Sequence, residues 1–390
     1  MDQPPPLISK ISFSIAFTVV LLIIIEIISA ISSKITDVRQ GGLQNARAAA
    51  AISVYKNQPW APAYWREEVA AFRVLYEPYV IWKRAPYRGE TVTIDEEGIR
   101  LTTDSQCDPA NYTIWLFGGS TMWGAGAPDW LTIPSLLAEQ YEKSGRTVCV
   151  RNYGTTAWVN TQEVVALLLE LKRASRKPDL VVFYDGINDS FSLFQSGAVD
   201  VPQNNDLIKK KIEAGEPLQF GWTQPKHNPW QTILEYYRES KTAQTISRLG
   251  AKLRMARGVS QPASLQLSDD QMQSQMDLAY LKNMDLVDAL ARRYRFQYAF
   301  FWQPVMLAGH KHLSAEEQTI LNKSGDGGIR AALLRMYALA QKEDRPGFFD
   351  IADVLDNRED TIYIDTMHLS PEGNRLVAER MFEVLHSHGM

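Results

Sequence analysis

Cysteine is nearly absent from this chain: 390 residues contain two, Cys107 and Cys149, with no metal-ligand spacing. A zinc module and a disulfide-dense scaffold are thereby excluded, and the pair can form at most one bridge. A buried thiol at Cys149 is the expectation, as the commoner state of a strand cysteine. The alternative is a Cys107–Cys149 bridge, if neighbouring strands bring the Cα atoms within the ~4.4–6.8 Å it needs. An excess of positive charge is also missing. Lys and Arg number 41 against 45 Asp and Glu, a net charge of −4, so nothing points to nucleic acid as a partner. Low-complexity tracts and repeats with a period of roughly 20–50 residues are absent too, which excludes solenoids and arrays. What remains, 45% hydrophobic and 22% charged, suits one large globular domain or two small ones.

One long hydrophobic run is present. Between Lys10 and Lys34 lie 23 residues with a single charge, Glu26. As a helix the run is roughly 34 Å long, enough for a bilayer core. Ala30-Ile31-Ser32 has the small residues of a cleavage site, but the apolar stretch exceeds the ~7–15 residues of a signal peptide. Residues 11–33 are therefore expected to form an uncleaved transmembrane anchor. Glu26 lies in its last third, placed to reach the interface or to stay protonated; a contact with a partner helix is the alternative. Lys34, Arg39 and Arg47 follow the run and only Lys10 precedes it. Counted literally, that bias puts the following domain in the cytoplasm.

Residues 34–105 read as a neck and N-terminal extension. The neck is rich in Ala and Gln, an aromatic stretch from Trp60 to Tyr87 follows, and TVTIDEEGIRLT alternates like a hairpin around Glu97-Gly98. From residue 106 a βα alternation takes over. Strands are expected at 112–117, 147–152, 179–184, 296–302 and 347–351. Helices are expected at 133–143, 162–173, 271–293 and 329–341, and after Pro371, a residue suited to a first helical turn. This pattern predicts an α/β domain over 106–390, a parallel sheet with helices on both faces. A helical insertion over about 192–268 interrupts it.

Three polar clusters follow three of the strands: Gly118-Gly119-Ser120-Thr121, Asn152-Tyr153-Gly154 and Asp185-Gly186-Ile187-Asn188-Asp189. Ser120 to Gly154 is 34 residues, and Gly154 to Asn188 is 34 more. Each step is about one βαβ unit, so all three land at the carboxyl ends of parallel strands, where open α/β sheets bind ligands. Asp365-Thr366-Met367-His368 returns to the same edge after the fifth strand. Taken singly, each cluster is ordinary turn chemistry. Together they supply what acyl transfer needs. Ser120 is the nucleophile, His368 its base, and Asp365, three residues earlier, orients the imidazole. The N–H groups of Ser120 and Gly154 and the amide of Asn188 are the candidate oxyanion donors. No metal or other cofactor is expected: His310 and His312 in GHKH read as a solvated loop, and Lys209–Lys211 as an exposed helix face. Trp123, Trp158 and Phe191 suit either a cleft wall or the core.

FGGSTMWG, NYG, DGIND and DTMHLSPEGN resemble, in order and spacing, the four blocks of the SGNH (GDSL-like) hydrolases. The resemblance covers roughly residues 112–390. It implies a flavodoxin-like three-layer sandwich with a five-stranded parallel sheet, the triad Ser120, Asp365 and His368, and oxyanion donors at Ser120, Gly154 and Asn188. One position departs: the aspartate usual before the serine is Gly119 here, which sets the chain apart from the narrower lipase-type subgroup.

The expected activity is ester hydrolysis of the deacylase or O-acetylesterase type at the membrane surface, on acylated carbohydrate. An acyltransferase, or an esterase acting on lipid or thioester, is the enzymatic alternative. A non-catalytic subunit working with envelope-assembly proteins is the alternative from another class. Analogy with anchored members of the family, and the single anchor directly ahead of the domain, place it outside the cytoplasm (periplasm or cell surface).

Overall fold

The computed structural model describes residues 50–213, 267–324 and 329–390. Within the N-terminal extension, α1 (Ala61–Ala71) precedes two small antiparallel pairs. These are β1 (Val74–Glu77) with β2 (Ile81–Arg84), and β3 (Tyr87–Arg88) with β4 (Thr93–Ile94). The turn expected at Glu97-Gly98 forms, with Asp95 and Ile99 hydrogen-bonded across it and Leu101 N–H on Thr93 O. The strand partner of β4 is nevertheless β3. The β1–β2 hairpin lies in the aromatic stretch, where β1 residues are exposed or half-buried, β2 is half-buried up to buried Arg84, and no apolar alternation announces a strand.

The main sheet has five strands: β5 (Tyr112–Gly118), β6 (Val148–Asn152), β7 (Leu180–Asp185), β8 (Gln297–Trp302) and β9 (Phe348–Asp350). All neighbours pair parallel, in the order β6-β5-β7-β8-β9. The fold is α/β, as expected. Its order reverses between the first strand's two neighbours, and such a switch point opens a crevice at the carboxyl ends of the strands. Both faces are covered, so the strands are largely apolar and their period-two alternation divides one run between two cores. Trp115, Phe117, Val181, Phe183, Phe300 and Trp302 face one helical layer. Ile114, Leu116, Val182, Tyr184 and Phe301 face the other. On the first face Tyr153, just past β6, and Phe117, Phe183 and Phe300 of β5, β7 and β8 form a stacked ladder, with ring centroids 4.9, 5.4 and 4.3 Å apart.

The helices begin where the sequence supplies caps. Thr132 Oγ1 accepts from Ser135 N–H at the start of α3 (Ile133–Lys143), the helix that follows α2 (Ser120–Trp123). α4 (Asn160–Arg173) leads to β7, α5 (Ile187–Ser196) leaves it, and α6 (Asn205–Glu213) follows. Ser268 and Gln271 form a capping box on α7 (Asp269–Met276). A π-helical turn, Asp277–Leu281, then leads into α8 (Lys282–Tyr294). After β8 come α9 (Ala315–Ser324) and α10 (Arg330–Ala340). Ser370 caps α11 (Pro371–Ser387), with Pro371 in its first turn.

The two cysteines are bridged, with Cα atoms 4.4 Å apart, which corrects the expectation of a free Cys149 thiol. β6 is an edge strand, and residues 105–107 run along it. Gln106 N–H donates to Val148 O, and Ser105 Oγ contacts Val150. Covering that open edge brings Cys107 across from Cys149. The expected anchor at 11–33 lies outside the described residues, as does the helical stretch 233–254 expected within the insertion. Among the described residues no helix is long and apolar enough to cross a membrane.

Candidate active site

Ser120 sits at the first position of α2, directly beyond β5. Helix geometry leaves its backbone N–H without an intrahelical acceptor, so that donor points out of the turn with the hydroxyl. His368 Nε2 lies 2.7 Å from Ser120 Oγ, and His368 Nδ1 lies 2.6 Å from Asp365 Oδ2. The other carboxylate oxygen, Asp365 Oδ1, accepts the N–H groups of Met367 and His368 at 2.8 and 2.7 Å. The aspartate therefore fixes both the imidazole and the loop that carries it. Burial would push the Asp365 carboxyl up, but the His368 charge and the hydrogen bonds outweigh it and hold the group at about 2. Burial pulls His368 down, while Asp365, and after it Glu68, draw it to a net position above its ordinary value.

Glu317 sets the base of this loop. Its Oε1 accepts from Ile362 N–H and Tyr363 N–H, both at 2.9 Å, and its Oε2 takes Lys311 Nζ at 2.6 Å. His310 and His312 are exposed on either side of Lys311, which turns inward. Among the described residues no group of His, Cys, Asp and Glu has the arrangement of a metal site.

Asn188 opens α5 beyond β7. Its Nδ2 donates to Trp158 O at 2.7 Å, which leaves its second N–H for another acceptor. A β-carbon on Gly119 would lie 2.1 Å from that nitrogen, so Asn188 rests against the residue just before Ser120. This contact explains why glycine stands at position 119.

Gly154 lies at the expected edge, and its N–H donates to Asn152 Oδ1 at 2.9 Å. Glycine is also needed there for close approach: a β-carbon would sit 2.4 Å from Trp123 N. Beside Ser120, the candidate donors are its own N–H and the Asn188 amide, which lies against Gly119.

The N-terminal extension packs against the turn that follows Ser120, a role its sequence does not announce. Buried Arg100 donates to the carbonyls of Trp123, Gly124 and Ala127 at 3.1, 2.8 and 2.7 Å, and to Asp129 at 2.9 Å. Tyr64 OH accepts Gly126 N–H while Tyr55 OH donates to Gly126 O, both at 2.7 Å. Trp123 is stacked by two guanidinium groups, Arg84 at 4.1 Å and Arg100 at 4.2 Å. Trp123 and Trp158 are buried and Phe191 is half-buried, so the two tryptophans belong to the core rather than to an open wall.

Behind Asn188 lies a knot of carboxyl groups. Asp185 Oδ2 accepts from Asn160 Nδ2 at 2.8 Å, and Asp189 Oδ1 accepts from Asn160 N–H at 3.1 Å. Glu163 is fully buried, and neither of its oxygens meets a donor among the described residues. Burial first, and then the neighbouring Asp185 and Asp189 charges, push Glu163 well above the carboxylate range. Burial and Asp189 do the same to Asp185, and burial takes Asp189 up to about 7.

No family model and no curated relative matches the chain. Solved structures align with it at low similarity. An acetyl xylan esterase, AlAXEase, is 15% identical over 70% of this chain and 99% of its own, with a TM-score of 0.35. A putative lipolytic protein of the G-D-S-L family from Desulfitobacterium hafniense DCB-2 is 11% identical over 70% and 100%, with a TM-score of 0.36. TesA is 14% identical over 70% and 98%, with a TM-score of 0.32. At these values the likeness carries no functional argument, and the reading of the site rests on its own geometry.

Proposed function

We propose that this chain is a serine-dependent carboxylic ester hydrolase, with Ser120, His368 and Asp365 as its triad. The observation that carries the proposal is the continuous chain of short contacts from Ser120 Oγ through His368 to Asp365. His368 Nε2 takes the hydroxyl proton as Oγ attacks the acyl carbonyl carbon. The oxyanion is met by the Ser120 N–H and the second N–H of Asn188. Collapse expels the alcohol, which receives the proton from His368. Water, deprotonated by the same imidazole, then releases the acid and restores Ser120. Asp365 stays ionised throughout and stabilises the imidazolium.

The finer reading is an O-acetylesterase acting on acylated carbohydrate, tethered to the membrane by residues 11–33 and facing away from the cytoplasm. The resemblance of the four sequence blocks supports it, and so does the Cys107–Cys149 bridge, which suits an oxidising compartment. Turnover of a chromogenic acetyl ester, compared with release of acetate from acetylated glycans, tests activity and substrate together. Ser120→Ala is expected to abolish both while the protein stays folded; full activity in that variant overturns the triad. Protease added to intact spheroplasts is expected to digest the domain, and protection until lysis would place it inside.

A further inference from the structure

Asn188 has one amide orientation in which it serves the nucleophile, and two contacts select it. Trp158 O accepts from Nδ2, and Gln203 Nε2 donates to Oδ1 at 2.9 Å. Gln203 lies beyond α5, in the stretch the sequence reads as an insertion. The loop that delivers it is stitched to α5. Ser192 Oγ contacts Ala198 O at 2.8 Å and Val201 O at 2.6 Å, and Asn204 N–H donates to Gln195 Oε1 at 2.9 Å. Val199 anchors the same loop in the core.

From this arrangement we propose that Gln203 is a positioning residue for catalysis: by donating to Asn188 Oδ1 it holds the Asn188 amide with Nδ2–H toward the oxyanion. The inference rests on the esterase reading above. A rotated amide would present Oδ1 to Trp158 O and to the developing negative charge, two acceptor–acceptor contacts. Gln203 acts against that rotation without touching the substrate. Its deletion therefore affects the transition state more than the bound ester, and the first residues of the insertion belong to the catalytic apparatus.

The test compares three substitutions on a small acetyl ester, with kcat and KM measured separately. Gln203→Ala removes one neutral hydrogen bond, and kcat is expected to fall roughly three- to tenfold with KM unchanged. Gln203→Glu keeps the shape but replaces the donor with an acceptor. It is expected to be the worse variant, losing roughly 10- to 100-fold in kcat. Gln203→Lys restores a donor and is expected to recover activity above the alanine variant. Loss in the order Glu, Ala, Lys follows donor chemistry rather than shape, which a packing role cannot produce. Thermal melts run alongside; if Gln203→Glu unfolds, the Ala-to-Lys comparison carries the test. Wild-type kcat in the glutamate variant, or an effect confined to KM, overturns the inference. Activity that survives in Ser120→Ala would instead overturn the esterase reading itself.

Discussion

Asn188 Nδ2 and the α-carbon of Gly119 are packed so closely that a β-carbon on Gly119 would stand 2.1 Å from the amide nitrogen. Position 119, next to Ser120, and the Asn188 amide thus share one space, so a side chain at 119 requires the amide to move.

Two variants probe that contact. Asn188→Ala is expected to lower kcat by roughly 10²–10³ with little change in KM, as for a donor used mainly in the transition state. Gly119→Ala is expected to mimic it by displacing the amide. Gly119→Ala at wild-type kcat would show that Asn188 is not held where the mechanism needs it.

The pH dependence of kcat/KM follows from His368, which must be neutral to accept the serine proton. Because its folded value lies above the ordinary one, activity is expected to rise with pH through a midpoint above ~6.5. Asp365→Asn removes the main cause of that rise, so the limb should move to lower pH while kcat drops. A limb that stays in place assigns it to another group. The sign for stability is the opposite: the favourable His368–Asp365 interaction is present at low pH and fades as pH rises through the raised histidine value, while Asp365, held at about 2, loses its share only in strong acid.

Glu163, Asp185 and Asp189 bind protons more tightly when folded than when unfolded. Their contribution to stability is complete below the ordinary carboxylate range and declines as pH rises through about 7 and beyond. Glu163→Gln keeps the shape and is always neutral, so it should flatten the alkaline fall of Tm. An unchanged alkaline profile in that variant would mean the knot holds no such protons.

Arg100 is fully buried and holds Asp129 as well as three carbonyls of the nucleophile turn. Arg100→Met leaves the buried Asp129 uncompensated, and a loss of about 3–5 kcal/mol is expected. Adding Asp129→Leu should restore part of the stability without restoring kcat, since the turn remains unclamped. Denaturant melts with initial rates on the same samples separate the two effects; full kcat in the double variant would limit Arg100 to a stabilising role.

The sequence by itself determined the five apolar strands, their helical crossovers, and the return of Ser120, Asn188 and Asp365–His368 to one sheet edge. Those features depend on short-range pattern: period-two and helical alternation, glycine clusters one βαβ unit apart, and an aspartate three residues before a histidine. Only the tertiary structure decided which polar groups are already engaged. The Gly154 N–H goes to Asn152 Oδ1, a choice made by loop conformation, and the glycine itself is required by packing against Trp123. Arg100, Lys311, Glu317 and Gln203 gave no signal either, because isolated charged or amide residues look like surface until a distant segment folds over them. Their partners are 15 to 46 residues away along the chain for Gln203–Asn188 and Glu317–Tyr363, a pairing that no local periodicity encodes. The bridge of Cys107 to Cys149 belongs with them. Two cysteines at a separation of 42 say nothing of geometry until residues 105–107 cover the open edge of β6.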